Sequence, residues 1–114
     1  MLNLSAATRV FVATAPVDLR RSFNGLFACV QEQLRLDPLS GHLFVFCNRT
    51  RNRLKILVWD GSGLWVCAKR LERGRFTWPR PPAPGIAVAN LRNEELIALT
   101  SGLEVRAKRG WYRR

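Results

Sequence analysis

Apolar and polar positions alternate along this chain in two rhythms, one of strands and one of helices. Residues 9–13 (RVFVA) are short, β-branched and aromatic, and predict a strand. Pro16 and Asp18 then announce a helix, with the Asp18 carboxylate as its N-cap. From Leu19 to about Leu36, Phe23, Leu26, Phe27, Val30 and Leu34 follow the i, i+3, i+4, i+7, i+11 series of one helical stripe, with Arg20, Arg21, Gln31 and Arg35 off it. Gly25 weakens this helix slightly and permits close approach to a sheet. The DPLSG stretch at 37–41 stops it.

Three runs rich in β formers come next: HLFVFC (42–47), LKILVWD (54–60) and LWVCAKR (64–70). Asp60-Gly61-Ser62-Gly63 predicts a tight hairpin, because glycines supply positive φ. Arg73-Gly74 marks a further turn before RFTW (75–78). The run PRPPAPG (79–85) cannot sustain a ladder, and reads as an ordered extended linker or a mobile loop. A second helix is expected from about Asn90 to Thr100, ended by Gly102. The expected fold class is α+β: a single small domain with an antiparallel β-meander, one helix on a sheet face and a C-terminal helix. Residues 1–80 form the core, 81–89 a proline-rich linker, and 90–114 the last helix and a basic tail of the same domain.

Composition fits one soluble globular domain, at 47% hydrophobic residues and a mean hydropathy of −0.09. No uncharged run approaches the ~18 apolar residues of a membrane helix, and the N-terminus lacks the positive start of a signal peptide. Cys29, Cys47 and Cys67 form no CxxC pair and leave an odd thiol in any disulfide scheme, which suits reduced cysteines in a cytoplasm. With His42 the one histidine, a zinc site would need all three cysteines to converge on it, so no metal and no cofactor is expected.

Charge changes the picture. Nineteen Lys and Arg face eight Asp and Glu, a net +11, and Lys55, Lys69 and Lys108 are the only lysines. Arginine's planar fork suits phosphates and base edges, so a polyanionic partner is the leading expectation. Pairing the strands about DGSG sets Trp59 opposite Leu64, Leu57 opposite Val66, Lys55 opposite Ala68 and Arg53 opposite Arg70. Like charges directly opposite destabilise a ladder unless an anion lies between them. Alternate turns of a meander share an end, so Arg49, Arg51, Arg53, Lys69, Arg70, Arg73 and Arg75 crowd one end of the sheet with only Glu72 among them, and Lys55 joins them as a candidate nucleic-acid contact. If residues 49–53 run extended, Arg49, Arg51 and Arg53 form a comb with teeth about 6.6 Å apart. The plainer alternative is a hairpin tip that is basic because it is solvated. In the tail, Trp111 and Tyr112 lie between Lys108-Arg109 and Arg113-Arg114, a pattern that stacks on bases or simply frays. The carboxylates fall at turns and helix surfaces, and no nucleophile elbow, P-loop or dinucleotide fingerprint is present, so no enzyme is expected.

The run GHLFVFCNRTRNRLKILVWDGSGLWVCAKRLERGRFTWPR, preceded by VDLRRSFNGLFACVQEQLRLDPLS, resembles the small TnpB-type (Orf2-like) accessory protein of the insertion-sequence-sixty-six transposon family. The resemblance covers roughly residues 9–80, through GHLFVF, a basic loop, WDG and KRLERGRF followed by WP. The Asn48–Asn52 loop departs from the Gly-containing basic turn of relatives, and the last third agrees only in outline. The resemblance implies a non-catalytic role in DNA transposition, beside a DDE-type transposase that holds the catalytic acids and a second small protein. The expectation is therefore a cytoplasmic, nucleoid-associated protein that binds DNA through the arginine-rich end of its meander. The rival expectations are an assembly module that docks on those two proteins without touching DNA, and an RNA binder.

Overall fold

The computed structural model describes residues 7–101. Five strands, β1 (Val10–Ala13), β2 (Leu43–Cys47), β3 (Arg53–Trp59), β4 (Leu64–Arg70) and β5 (Val88–Leu91), form one sheet in the order β4-β3-β2-β1-β5. Two helices, α1 (Phe23–Glu32) and α2 (Asn93–Ser101), accompany it. The fold is α+β, and β2–β3–β4 is the expected antiparallel meander. The sheet as a whole is mixed, because α1 carries the chain over to set β1 parallel to β2, while β5 returns antiparallel on the far side of β1.

Strand alternation gives the sheet two apolar faces. Phe44, Phe46 and Leu57 point to α1 and meet Leu26, Cys29, Val30 and Leu34. Leu43, Val45, Leu54, Ile56 and Val58 point the other way and meet Leu96, Leu99 and Phe76. All five residues of β2 are buried, as befits the strand at the centre of a sheet covered on both sides.

Three boundaries differ from the sequence reading. Helix α1 begins at Phe23, not near Leu19, because Asp18 closes a turn of its own: its carboxylate accepts from the Arg20 N–H at 3.0 Å, and its carbonyl accepts from the Arg21 N–H. The same helix ends before DPLSG. Arg35 takes a left-handed φ of 59° and the Leu36 N–H reaches back six residues to the Val30 carbonyl at 3.0 Å, which closes the end of the helix. Val88–Leu91 is a strand, so α2 starts at Asn93, where the Glu95 side chain accepts from the Arg92 N–H at 2.8 Å as in a capping box. Gly25 serves a different neighbour than expected: a Cβ there would lie 2.8 Å from the Arg21 Cβ, so it makes room for the preceding turn rather than for the sheet. Between β4 and β5 the proline-bearing segment has no regular structure except as it nears β5, and the Trp78 indole anchors it to the Ala13 carbonyl at 2.9 Å.

Candidate nucleic-acid interface

The pairing of β3 and β4 is the register expected: Arg53↔Arg70, Lys55↔Ala68, Leu57↔Val66 and Trp59↔Leu64. The Leu71 N–H donates to the Asn52 carbonyl at 2.8 Å, and the Phe76 N–H to the Arg51 carbonyl at 2.7 Å, so the two turns do share one end of the sheet. Because Asn52 and Leu71 are joined by a hydrogen bond, the ladder's alternation makes Arg53 and Arg70 a non-hydrogen-bonded pair, the closer-set kind. Two guanidinium-bearing residues thus stand side by side on the α1 face.

That face forms a concavity of about 560 Å³ lined by Leu19, Arg20, Arg53, Lys55, Ala68, Arg70 and Glu72, with Leu54 and Lys69 also on its wall. Arg20 pairs with Asp18 (2.8 Å), and Arg70 with Glu72 (3.2 Å); all four side chains are well exposed. Exposed pairs of this kind hold little free energy, so both arginines can trade a carboxylate for a phosphate. Arg53 has no carboxylate partner among the described residues. The Arg20 guanidinium, foremost, holds the Asp18 carboxyl down to about 2.

The remaining cations of the sequence reading divide by what they touch. Lys55 donates to the Arg21 carbonyl at 2.9 Å and so ties the turn before α1 to β3. Lys69 sits on the opposite face, where it donates to the Thr100 carbonyl in the last turn of α2 at 2.7 Å. Arg49, Arg73 and Arg75 are exposed in the two turns. The comb does not form. Residues 49–52 make a turn in which the Asn48 side chain accepts from the Asn52 and Arg53 N–H groups at 3.1 and 3.0 Å, and Arg51 adopts a left-handed φ of 63°. Arg51 folds inward instead. Its guanidinium carbon lies 5.7 Å from the centre of the Trp78 ring, and its Nη1 is buried. Burial pushes the neighbouring Cys47 thiol up, and Arg51 partly opposes that shift. Lys108, Arg109, Trp111, Tyr112, Arg113 and Arg114, with the RNA reading that rests on them, lie outside the described residues.

Arg20 belongs to this site, though its place off the helical stripe marked it only as a solvent-facing residue. The Asp18-x-Arg20 spacing after Pro16 was the available signal, since it favours an Asx turn over an immediate helix. His42, by contrast, has a structural partner: its Nδ1 accepts from the Arg9 N–H at 3.0 Å. Among the described residues no group of three His, Cys, Asp or Glu side chains is placed to hold a metal, and no helix is long and apolar enough to cross a membrane.

Comparison with known proteins matches residues 8–110 to a family described as IS66 Orf2 like protein. Two proteins of Sinorhizobium fredii are similar over nearly the whole chain. The uncharacterized protein y4jC is 42% identical over 110 residues, covering 96% of this chain and 92% of its own. The uncharacterized protein y4hO is 42% identical over 106 residues, covering 93% and 90%. No solved structure matches the chain significantly.

Proposed function

Because the chain belongs to the IS66 Orf2-like family, whose members are insertion-sequence accessory proteins, we propose that it acts in transposition by binding duplex DNA at the Arg53–Arg70 end of its sheet. The observation that carries this reading is the like-charged pair set side by side in a concavity that Arg20 also lines. Such a pair costs stability in the isolated protein, and a phosphate between the two guanidinium groups turns that cost into a gain. Six exposed arginines (Arg20, Arg49, Arg53, Arg70, Arg73 and Arg75) surround the site. They contact phosphates and position the protein, while the transposase supplies the chemistry. Association with the nucleoid follows from the same charge.

Fluorescence anisotropy on a labelled duplex carrying a transposon end, across a salt series, tests it. Six neutralised phosphates give a log-log slope of about −5.4, and Arg53→Ala with Arg70→Ala reduces it to about −3.6. The same double variant is at least as stable as the parent, since a repulsion is removed. Unchanged affinity in a folded double variant would refute the assignment.

One observation favours a second reading, docking on the transposase or the second small protein. Ile97 projects from α2 at 63% exposure beside an apolar groove floored by Leu54, Ile56 and Cys67. Co-purification that survives nuclease digestion and is lost in Ile97→Asp would support it, and loss on digestion would exclude it.

A further inference from the structure

The outer edge of β4 is self-complementary, and we propose that two copies of this chain pair through it, antiparallel, about a two-fold axis at Cys67. The argument starts from the hydrogen bonds at the two ends of the hairpin. Asp60 N–H donates to the Gly63 carbonyl and Leu71 N–H to the Asn52 carbonyl, which fixes the alternation along the ladder. Residues 65, 67 and 69 direct their backbone groups to β3, and Leu64, Val66, Ala68 and Arg70 direct theirs outward. Among the described residues no strand pairs with that edge.

Cys67 is the middle residue of the seven. An antiparallel copy centred on it sets Leu64 against Arg70 of the second copy and Val66 against Ala68, with two hydrogen bonds at each of the four pairs so formed. Every outward N–H and C=O of both strands is then satisfied. A shift by one residue points outward groups at residues that have none to offer, and a shift by two leaves the groups at one end of each strand unpaired.

Side chains fit the same register. Arg70 opposes Leu64, so no like charges face each other, in contrast to Arg53 and Arg70 within one copy. Lys69 comes opposite Trp65 of the second copy, a residue 43% exposed whose indole N–H donates to Asp60 at 2.7 Å. The first five residues of the edge, Leu64–Ala68, carry no charge, proline or bulge of the kind that guards an edge against pairing. The two-fold axis stands perpendicular to the joined sheet, so both α1 faces, and with them both basic concavities, lie on one side, with the Arg70 residues about 20 Å apart along the strands.

The inference does not depend on DNA binding, and the test uses the full-length chain under reducing conditions without nucleic acid. Sedimentation should give twice the 13.0 kDa of one chain, dissociating on dilution. Hydrogen exchange should show the Leu64, Val66, Ala68 and Arg70 amides protected at high concentration and exchanging at least tenfold faster at low, while the Trp65, Cys67 and Lys69 amides stay protected in both. Ala68→Pro removes one outward N–H without touching the β3 ladder, and should yield a folded 13.0 kDa species by circular dichroism. A 13.0 kDa particle at all concentrations would overturn the proposal, whether its outward amides exchange as open ones, are covered by its own chain, or become protected only when a different protein is added.

Discussion

At one end of the β3–β4 hairpin, Asp60 gathers the N–H groups of Ser62 and Gly63, the Ser62 hydroxyl and the Trp65 indole, all within 3.0 Å. At the end where β2 turns into β3, Asn48 does the equivalent work: its carbonyl oxygen accepts from Asn52 and Arg53, and its amide donates to Thr50 and Asn52. Both turns are closed by a side chain that replaces missing backbone partners. One closing group is an anion and the other is neutral. The carboxylate end carries no cation of its own, while at the amide end Asp18 and Glu72 meet Arg20 and Arg70, and Arg53 is left without a carboxylate partner among the described residues. Asp at position 48 would supply the same acceptor but not the two donations, and it would set an anion among the arginines. Neutral closure where the cations crowd adds no further anion to Asp18 and Glu72.

Substitutions can break that contrast. Arg51→Ala has the largest expected effect on stability, because it strips the cation from the Trp78 ring and empties space beside Cys47, at a cost of about 1–2 kcal/mol. Chemical denaturation measures it, and DNA affinity should fall less than in Arg53→Ala, since Arg51 is turned inward. Asn48→Asp comes next. It preserves the acceptor for the Asn52 and Arg53 amides, gives up the donations to Thr50 and Asn52, and adds a charge, so the turn loosens while the salt slope of DNA binding drops by about 1. If affinity is unchanged, the field at this end has nothing to do with binding.

What the residues disclosed depended on how local the determinant was. The β3–β4 register was legible to the residue, because DGSG fixes the hairpin and alternation propagates it to Arg53 and Arg70. The place of β1 between β2 and β5 was not. Pairs such as Val10↔Leu91 join residues far apart in sequence, and the run VANL carries an asparagine and only one β-branched residue. Its Leu91 stands eight residues before Leu99, a spacing two helical turns allow, and so is absorbed into α2. The site was half legible for the same reason. Charge crowding at one end followed from meander topology, but the inward fold of Arg51 depends on Trp78 and on the left-handed backbone, neither of which spacing reveals.

The smallest effect distinguishes the two ends by the nature of their donors. Asp18 and Asp60 are both exposed, and both are held at about 2 against an ordinary 3.8. For Asp18 the chief cause is the Arg20 guanidinium; for Asp60 it is the Ser62 backbone N–H, then the Trp65 indole. A carboxyl whose folded value lies below its unfolded one stabilises the fold above about pH 4, and that contribution fades as pH falls toward 2. Both ends therefore loosen in acid, yet salt should treat them differently. Raising ionic strength to about 1 M shortens the screening length to about 3 Å and weakens the exposed Asp18–Arg20 pair, while bonds from neutral donors are hardly screened. Carboxyl-carbon NMR titrations at low and high salt should show Asp18 moving back toward its ordinary value and Asp60 staying low. Equal movement of both would mean that the cations of the basic end reach across the sheet to Asp60, and that the two ends do not differ electrostatically as their closing residues indicate.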